Sequence, residues 1–200
     1  MIRNFLILLG FFVFSCPAMS QDSEPAAIVE KFQSQLLAVM KDAENISVQE
    51  RYDRLFPPIT EAFHIPTMVQ IATPAHWKNA SDSQKQRIVE AFQRKNIATV
   101  ATLFNGYSGQ KFEHLGEKPA PQNTVLVKTR IVNPDGSGVS LDYRALKLGD
   151  HWYLIDVIVD DGISEMSVRQ SEFRDILKNG GIEALITSLN QKADELLAAK

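Results

Sequence analysis

Residues 124–159 read TVLVKTRIVNPDGSGVSLDYRALKLGDHWYLIDVIV, and apolar side chains recur there at every second position. Three such runs are separated by Pro134-Asp135-Gly136 and by Gly149-Asp150, which are typical turn sequences. A period of two is that of a half-buried strand, and short turns join antiparallel neighbours. The stretch therefore predicts three hairpin-linked antiparallel strands, with Lys111 to Leu115 as a candidate fourth.

The second and third predicted strands each have a strongly apolar face. Simple alternation places these residues on those faces: Val139, Leu141, Tyr143 and Ala145, then Tyr153, Ile155, Val157 and Val159. A sheet with one apolar face has to bury that face against other elements. The rest of the chain must therefore supply a cover.

Helical periodicity flanks the predicted sheet on both sides. It predicts a helix over Ala26 to Met40, an amphipathic stretch that begins near Ser47 and is interrupted at Pro57-Pro58, a long helix over Asp82 to Tyr107, a helix over Ser167 to Lys178, and a final helix after Gly180-Gly181. We expect a helical region at 24–107, a sheet at 111–159 and C-terminal helices at 164–197. The fold class is α+β, a curved antiparallel sheet covered by helices that enclose an apolar cavity.

The long helix also has a cationic side. Arg87 and Arg94 lie opposite its apolar face, with Lys95 flanking them. The pattern fits either a solvated face or a docking surface for an acidic partner.

The first residues have the pattern of an export signal. Arg3 precedes an apolar run of about ten residues, which is short of the roughly twenty that a membrane-spanning helix needs. Ala18 and Ser20 are small residues placed for cleavage after Ser20, so we expect a periplasmic protein with one domain at 21–200. The alternative is lipidation of Cys16, although bulky Phe14 fits a lipobox poorly.

Composition excludes several classes of protein. Cys16 is the only cysteine, so the chain that remains after cleavage has no thiol and depends on a packed core. The formal charge is −3, and no long basic run occurs. This mild acidity disfavours nucleic acid and simple adsorption to anionic lipid.

Catalytic and metal-binding motifs find little support. The histidines are scattered along the chain, at His64, His76, His114 and His151. No histidine pair at i and i+4, nucleophile elbow, phosphate loop or dinucleotide fingerprint occurs. We expect no metal, no cofactor and no catalytic residue.

Acidic side chains cluster at the end of the last predicted strand. They are Asp156, Asp160, Asp161 and Glu165. A buried carboxylate can act as a general base, and Asp156 is the candidate for that role in a small-ligand enzyme with a cone-shaped pocket. The structural alternative is that Asp156 pairs with Arg130 or Arg144, residues 160–162 turn the chain, and Ser164 caps the next helix.

Several motifs resemble one family. Residues 152–164 read WYLIDVIVDDGIS, and they are followed by SEFRDIL at 171–177, NGG at 179–181 and LITSL at 185–189. Upstream, Trp77, SDSQ at 81–84, AF at 91–92 and YSG at 107–109 occur in the same order. From about Ile28 to Leu189 the chain resembles the periplasmic phospholipid-binding proteins of the maintenance-of-lipid-asymmetry pathway, also called toluene-tolerance auxiliary proteins, and their hopanoid-associated relatives.

The resemblance implies a monomeric carrier that holds phospholipid acyl chains between its sheet and helices. Its implied partners are an inner-membrane ABC transporter complex and an outer-membrane lipoprotein and porin complex. Residues 71–77 read IATPAHW, whereas the family often has Leu-Gly before the tryptophan. That difference leaves a hopanoid or another polycyclic lipid open as the ligand, and a ligand-free interaction module is a further alternative.

Candidate lipid-binding residues are the inward apolar positions of the predicted helices and strands, with two more at the mouth of the pocket. They are Val100, Phe104, Leu141, Tyr143, Ile155, Val157 and Ile176, with Met68 and Ile71 at the mouth. The same side chains would serve equally well as plain core, because both roles need apolar surface.

Overall fold

The computed structural model describes residues 24–160 and 162–198. The predicted export signal, its cleavage after Ser20 and the alternative of lipidation at Cys16 lie outside these residues. In chain order the elements are α1 (Glu24–Asp42), a 3₁₀ turn (Ala43–Asn45), α2 (Val48–Ala62), α3 (Ile65–Ala72), α4 (Pro74–Asn79), α5 (Asp82–Leu103), β1 (Lys111–Ala120), β2 (Thr124–Val132), β3 (Gly138–Leu148), β4 (His151–Val159), β5 (Ile163–Ser164) and α6 (Glu165–Ala198). The predicted α+β class is confirmed.

The strands form one open antiparallel sheet in the order β1-β2-β3-β4-β5. The predicted hairpins are confirmed, and the candidate fourth strand is β1, which continues to Ala120. Each strand pairs with its sequence neighbour because the connections are too short for any other arrangement.

A bulge in β4 overturns the predicted alternation of that strand. Arg144 pairs with Asp156, but the next residue of β3, Ala145, pairs with Leu154, so Ile155 is an extra residue on β4. An extra residue exchanges the two faces of a strand. Leu154, rather than Ile155, therefore belongs with Val157 to the face that packs on the helices.

Tandem prolines do not interrupt α2, contrary to expectation. The helix begins with a capping box between Ser47 and Glu50 and runs through Pro57 and Pro58 to Ala62. Its buried residues are Leu55, Pro58, Ile59 and Ala62. Burial of this face stabilises a helix whose prolines remove backbone donors, so tertiary packing overrides the local preference.

Helix α5 begins as predicted and ends earlier. Ser81 and Gln84 form a capping box at its start, and the helix stops at Leu103 instead of Tyr107. Helix α6 joins the two predicted C-terminal helices across a break at Gly181, whose φ is 63°. Glycine reaches this conformation without the penalty that a side chain brings.

The cationic side of α5 faces α6. Arg87 Nη1 lies 2.7 Å from Glu183 Oε2, and Arg94 Nη2 lies 2.6 Å from Asp194 Oδ1. The hydrogen bond from Arg87 lowers the pKa of Glu183. Both ion pairs are partly exposed, so this side of α5 is a solvated surface on which the two arginines also bind the C-terminal helix of their own chain.

Both tryptophans are half-buried on the outside of the fold. The indole N–H of Trp152 donates to Glu24 Oε2 at 2.8 Å and so ties the start of α1 to β4. Trp77 lies on α4, and the Lys85 ammonium is 5.8 Å from the centroid of its ring. Among the described helices, none combines the length and the apolar character needed to cross a bilayer.

Candidate functional site

An apolar cavity of about 390 Å³ lies between the helices and the inner face of the sheet. Strands β3 and β4 form one wall, and α1, α2, α3, α5 and the first turns of α6 form the others. Its lining residues are Phe32, Leu36, Ile59, Phe63, Ile65, Met68, Asn96, Thr99, Val100, Leu103, Phe104, Leu141, Tyr143, Val157, Val159, Glu165, Met166 and Arg169.

Most of the predicted pocket residues lie on this lining. They are Met68, Val100, Phe104, Leu141, Tyr143 and Val157. The periodic patterns of the long helix and of β3 bring them together, because residues of one helix or strand face are neighbours in space. Their role as lipid contacts stays a prediction.

The other predicted pocket residues lie off the lining, each for a different reason. Ile71 is 38% exposed on α3, whereas Met68 on the same helix is buried. Ile155 is the bulge residue of β4. Ile176 packs against the core from α6 without reaching the cavity. Ile71, Ile155 and Ile176 are therefore not among the residues that line the cavity.

Aromatic rings form the deep part of the cavity wall. The Phe32 ring meets Phe63 edge-on at a centroid distance of 5.2 Å and Tyr143 at 6.1 Å. Burial raises the pKa of Tyr143 to about 12. Behind these rings, the buried Gln33 amide donates to Thr129 Oγ1 at 2.9 Å. This end of the cavity is apolar, and the polar groups behind it have partners.

Sequence reasoning missed the contribution of α1. Phe32 and Leu36 belong to its apolar stripe, which the helical period identifies as buried but cannot assign to the sheet or to another helix. It also missed the polar lining residues, which are Asn96, Thr99, Glu165 and Arg169. A polar position next to the apolar face of a predicted helix is the available signal, and Asn96 between Phe92 and Val100 has it.

The polar lining residues lie where α5 meets the start of α6. Arg169 Nη2 donates to Glu165 Oε2 at 2.9 Å, and Arg169 Nη1 donates to Glu172 Oε2 at 2.6 Å. Beside them, Lys95 is largely buried, and that burial, together with the nearby Arg169 charge, lowers the pKa of Lys95 to about 8. The Thr99 hydroxyl donates to the Lys95 carbonyl at 2.9 Å.

Asp156 has a structural role at the start of α6. It is 5% exposed, its Oδ2 accepts from the Ser164 hydroxyl at 2.6 Å, and its Oδ1 accepts from the Met166 N–H at 3.1 Å. Ser164 Oγ in turn accepts from the Ser167 N–H at 3.1 Å, so the predicted cap is confirmed. The predicted pairing of Asp156 with Arg130 or Arg144 is replaced by this cap, and both carboxylate oxygens are already engaged.

Metal-binding side chains do not gather in the described part of the chain. Across 24–160 and 162–198, no three His, Cys, Asp or Glu side chains come close enough together to hold an ion. His64 instead caps α3, where its Nδ1 accepts from the Thr67 N–H at 3.3 Å. Burial lowers the pKa of this imidazole.

The sequence of this chain matches a known protein family. A family model described as MlaC protein matches residues 30–191. The chain belongs to the MlaC family. The resemblance found in the sequence motifs is thereby confirmed, and the MlaC match spans the cavity walls from α1 to α6.

Individual relatives are more distant than the family match suggests. The Intermembrane phospholipid transport system binding protein MlaC of Haemophilus influenzae is 25% identical over 125 residues, an alignment that covers 60% of this chain. This chain spans 58% of the length of that relative. A solved phospholipid-binding protein from Ralstonia solanacearum, in complex with a phospholipid, has a TM-score of 0.76 and 24% identity, covering 87% of this chain and 99% of that chain. The likeness to that structure is one of fold.

Proposed function

We propose that this chain is a periplasmic phospholipid carrier that holds acyl chains in the cavity between its sheet and its helices. The observation that carries the proposal is the cavity of about 390 Å³ with a largely hydrocarbon and aromatic lining, in a chain of the MlaC family. An apolar cavity of this size attracts an apolar ligand, because water gains few hydrogen bonds inside it.

The size of the cavity suits one acyl chain. An engineered cavity of about 150 Å³ holds benzene, so on that scale this one holds about fifteen carbon atoms. An adjoining cleft of about 470 Å³ shares Leu103 and Phe104 with the cavity. The cleft has a polar side, which includes Glu44, Gln110 and Asn133, and an apolar side, formed by Met40, Leu103, Phe104, Ile131 and Val139. We propose that a second chain of a two-tailed lipid lies along the apolar side, with the Phe104 ring between the two chains.

A carrier role follows from the energetics of acyl chains in water. Two chains expose roughly thirty methylene groups, and at about 0.8 kcal/mol each their burial is worth about 25 kcal/mol. This exceeds the ceiling of about 18 to 21 kcal/mol for non-covalent affinity, so bound lipid does not leave into water on a useful timescale. Delivery then requires a partner that offers another apolar site.

We infer that the partners are an inner-membrane ABC transporter complex and an outer-membrane lipoprotein and porin complex. In this scheme the exported chain, cleaved after Ser20, works as a monomer, needs no cofactor and catalyses no reaction. The engagement of both Asp156 oxygens in the cap of α6 supports the absence of a general base at that position.

Lipid extraction tests the proposed function most directly. Protein purified from the periplasm without detergent should release about one phospholipid per chain on organic extraction, as measured by mass spectrometry. A polycyclic lipid in the extract would indicate that the cavity binds a hopanoid-type ligand instead of a phospholipid. An extract with no lipid at all would contradict the carrier proposal and favour an interaction module.

A further inference from the structure

Two hydrogen-bond donors at the polar end of the cavity have no acceptor. Asn96 Nδ2 and Arg169 Nε are both inaccessible to solvent, and neither has a hydrogen-bond partner. Both side chains line the cavity. Buried donors are almost always satisfied, and each one left without an acceptor destabilises the fold, so two on one cavity wall require an explanation.

The surroundings of Arg169 hold its side chain in place and leave Nε free. Glu165 and Glu172 take up the two terminal nitrogens at 2.9 and 2.6 Å. The donor of neighbouring Thr99 is used within α5, because its hydroxyl donates to the Lys95 carbonyl. Among the described residues, Asn96 and Arg169 are thus the two lining side chains that have a buried donor without an acceptor.

These two donors belong to residues that lie next to the apolar part of the cavity lining. Asn96, Val100 and Leu103 follow one another at helical spacing on α5, and all of them line the cavity. Arg169 follows Met166, another lining residue, by one turn of α6. A ligand with its hydrocarbon along Val100 and Leu103 would therefore place its first polar atoms beside the side chains of Asn96 and Arg169.

Charge around the donors favours an acceptor without a charge. Arg169 lies between two carboxylates, and Glu165 itself lines the cavity. Lys95 and Arg169 are balanced by Glu165 and Glu172, and Lys192 is paired with Glu195. No net positive charge is therefore left to hold a phosphate, whereas an uncharged carbonyl oxygen needs none. In a phospholipid, the uncharged acceptors next to the hydrocarbon are the ester carbonyls that join the acyl chains to glycerol.

We propose that Asn96 and Arg169 form a subsite for the ester carbonyl oxygens of a diacyl lipid. The subsite rests on the proposed function, since it requires a glycerolipid in the cavity. It gives the carrier a preference for ester-linked chains over ether-linked chains. An ether linkage has no carbonyl oxygen, and its single oxygen is a poorer hydrogen-bond acceptor. In this arrangement the lipid headgroup makes no contact with Asn96 or Arg169.

A competition between two lipids tests the subsite. Wild-type protein stripped of lipid is equilibrated with vesicles that hold equal amounts of a diester phosphatidylcholine and its diether analogue with the same chain lengths. Mass spectrometry of the bound lipid then gives their ratio. A net hydrogen bond corresponds to about threefold to tenfold in affinity, so the diester should be enriched by that factor.

Two variants assign the preference to the donor. Asn96→Leu removes the unsatisfied amide and should bring the ratio close to one. Thr102→Val is the matched control, because Thr102 lies on the same helix outside the cavity lining and its hydroxyl donates to the Ala98 carbonyl at 2.8 Å, so this variant should keep the wild-type ratio. The melting temperature of lipid-free Asn96→Leu should not fall, since no hydrogen bond of its Nδ2 is lost.

The results that would contradict the subsite differ from those that would contradict the proposed function. A ratio of one in the wild type overturns the subsite while leaving the carrier intact, and this measurement requires no variant to fold. An unchanged preference in Asn96→Leu overturns the role of Asn96 and points to Arg169 alone or to an ordered water. If the wild type binds neither lipid, the proposed function fails, and the subsite fails with it.

Discussion

The two ends of the cavity differ in how completely their polar groups are satisfied. At the aromatic end, Gln33 and Thr129 lie behind the wall and bond to each other at 2.9 Å, so the cavity there presents hydrocarbon and rings. At the α5–α6 end, the lining residues Asn96 and Arg169 each have a buried N–H group with no acceptor. A satisfied buried network is typical of a structural core, whereas unsatisfied donors on a cavity wall indicate a place for a ligand.

A carboxylate placed at the aromatic end should have the largest effect on ligand binding. Val157 lines the cavity opposite Tyr143 on the sheet, and Val157→Asp should abolish lipid binding while the protein remains folded and monomeric. A buried charge costs several kcal/mol, but water can enter a cavity that has lost its lipid and hydrate the carboxylate. Circular dichroism and lipid extraction on one preparation measure both effects.

Leu115→Asp is the matched control for that substitution. Leu115 is also a strand residue, but it is 55% exposed on β1, away from the cavity, so this variant should keep its lipid. Unfolding of Val157→Asp would identify Val157 as packed core. A folded variant with wild-type lipid content would show that acyl chains do not contact this wall.

Loss of the buried network should affect stability without affecting binding. Thr129→Val removes the acceptor of the Gln33 amide and the hydroxyl that donates to the Leu141 carbonyl. A buried donor left unpaired costs about 1 to 3 kcal/mol, so urea denaturation should show a loss of that order. Lipid content should stay at the wild-type level, since Thr129 does not line the cavity.

The matched test replaces both partners. In the double variant Gln33→Leu with Thr129→Val, no buried amide is left without an acceptor, so its loss of stability should be smaller than the sum of the two single losses. Additive losses would show that the two groups act independently of each other.

The ionisation of Lys95 should produce the smallest effect, confined to a defined pH interval. Burial lowers its pKa to about 8, from an ordinary value of 10.5. Between these two values the unfolded chain holds a proton that the folded chain has released, so stability rises with pH across the interval. Below it both states are protonated, and the folded state carries the full penalty.

Lys95→Met should remove that penalty. The variant should be more stable than the wild type near pH 7, by an amount of the order of 1 kcal/mol after allowance for solvent screening, and it should show no rise between pH 8 and 10. Denaturation at a series of pH values measures this. Equal pH profiles for the two proteins would show that Lys95 remains well hydrated in the folded state.

The sequence predicts repeating elements of this fold better than it predicts irregularities. A period of two in residues 124–159 and a helical period in α1 and α5 follow from burial of one face, and both are confirmed. The bulge at Ile155 depends on how β4 pairs with β3, which the sequence of one strand does not contain. Likewise, α2 continues through Pro57 and Pro58 because neighbouring elements bury its apolar face.

The candidate site was accessible to sequence reasoning only in part. Val100, Leu141 and Val157 could be predicted, because cavity walls and cores both need inward apolar residues. The polar end could not, because Asn96 and Arg169 become significant only when α5 and α6 meet, more than seventy residues apart in the chain. Satisfaction of a donor is a property of the assembled fold.

The positions of the two tryptophans determine what an optical experiment can detect. Trp77 and Trp152 are both absent from the cavity lining, and Trp152 is engaged with Glu24 on the outside of the fold. The intrinsic fluorescence of either tryptophan therefore reports unfolding and changes little when lipid binds in the cavity. Because the fluorescence of the two native tryptophans is insensitive to the cavity, the fluorescence of an indole introduced by Phe104→Trp would report the binding and release of an acyl chain.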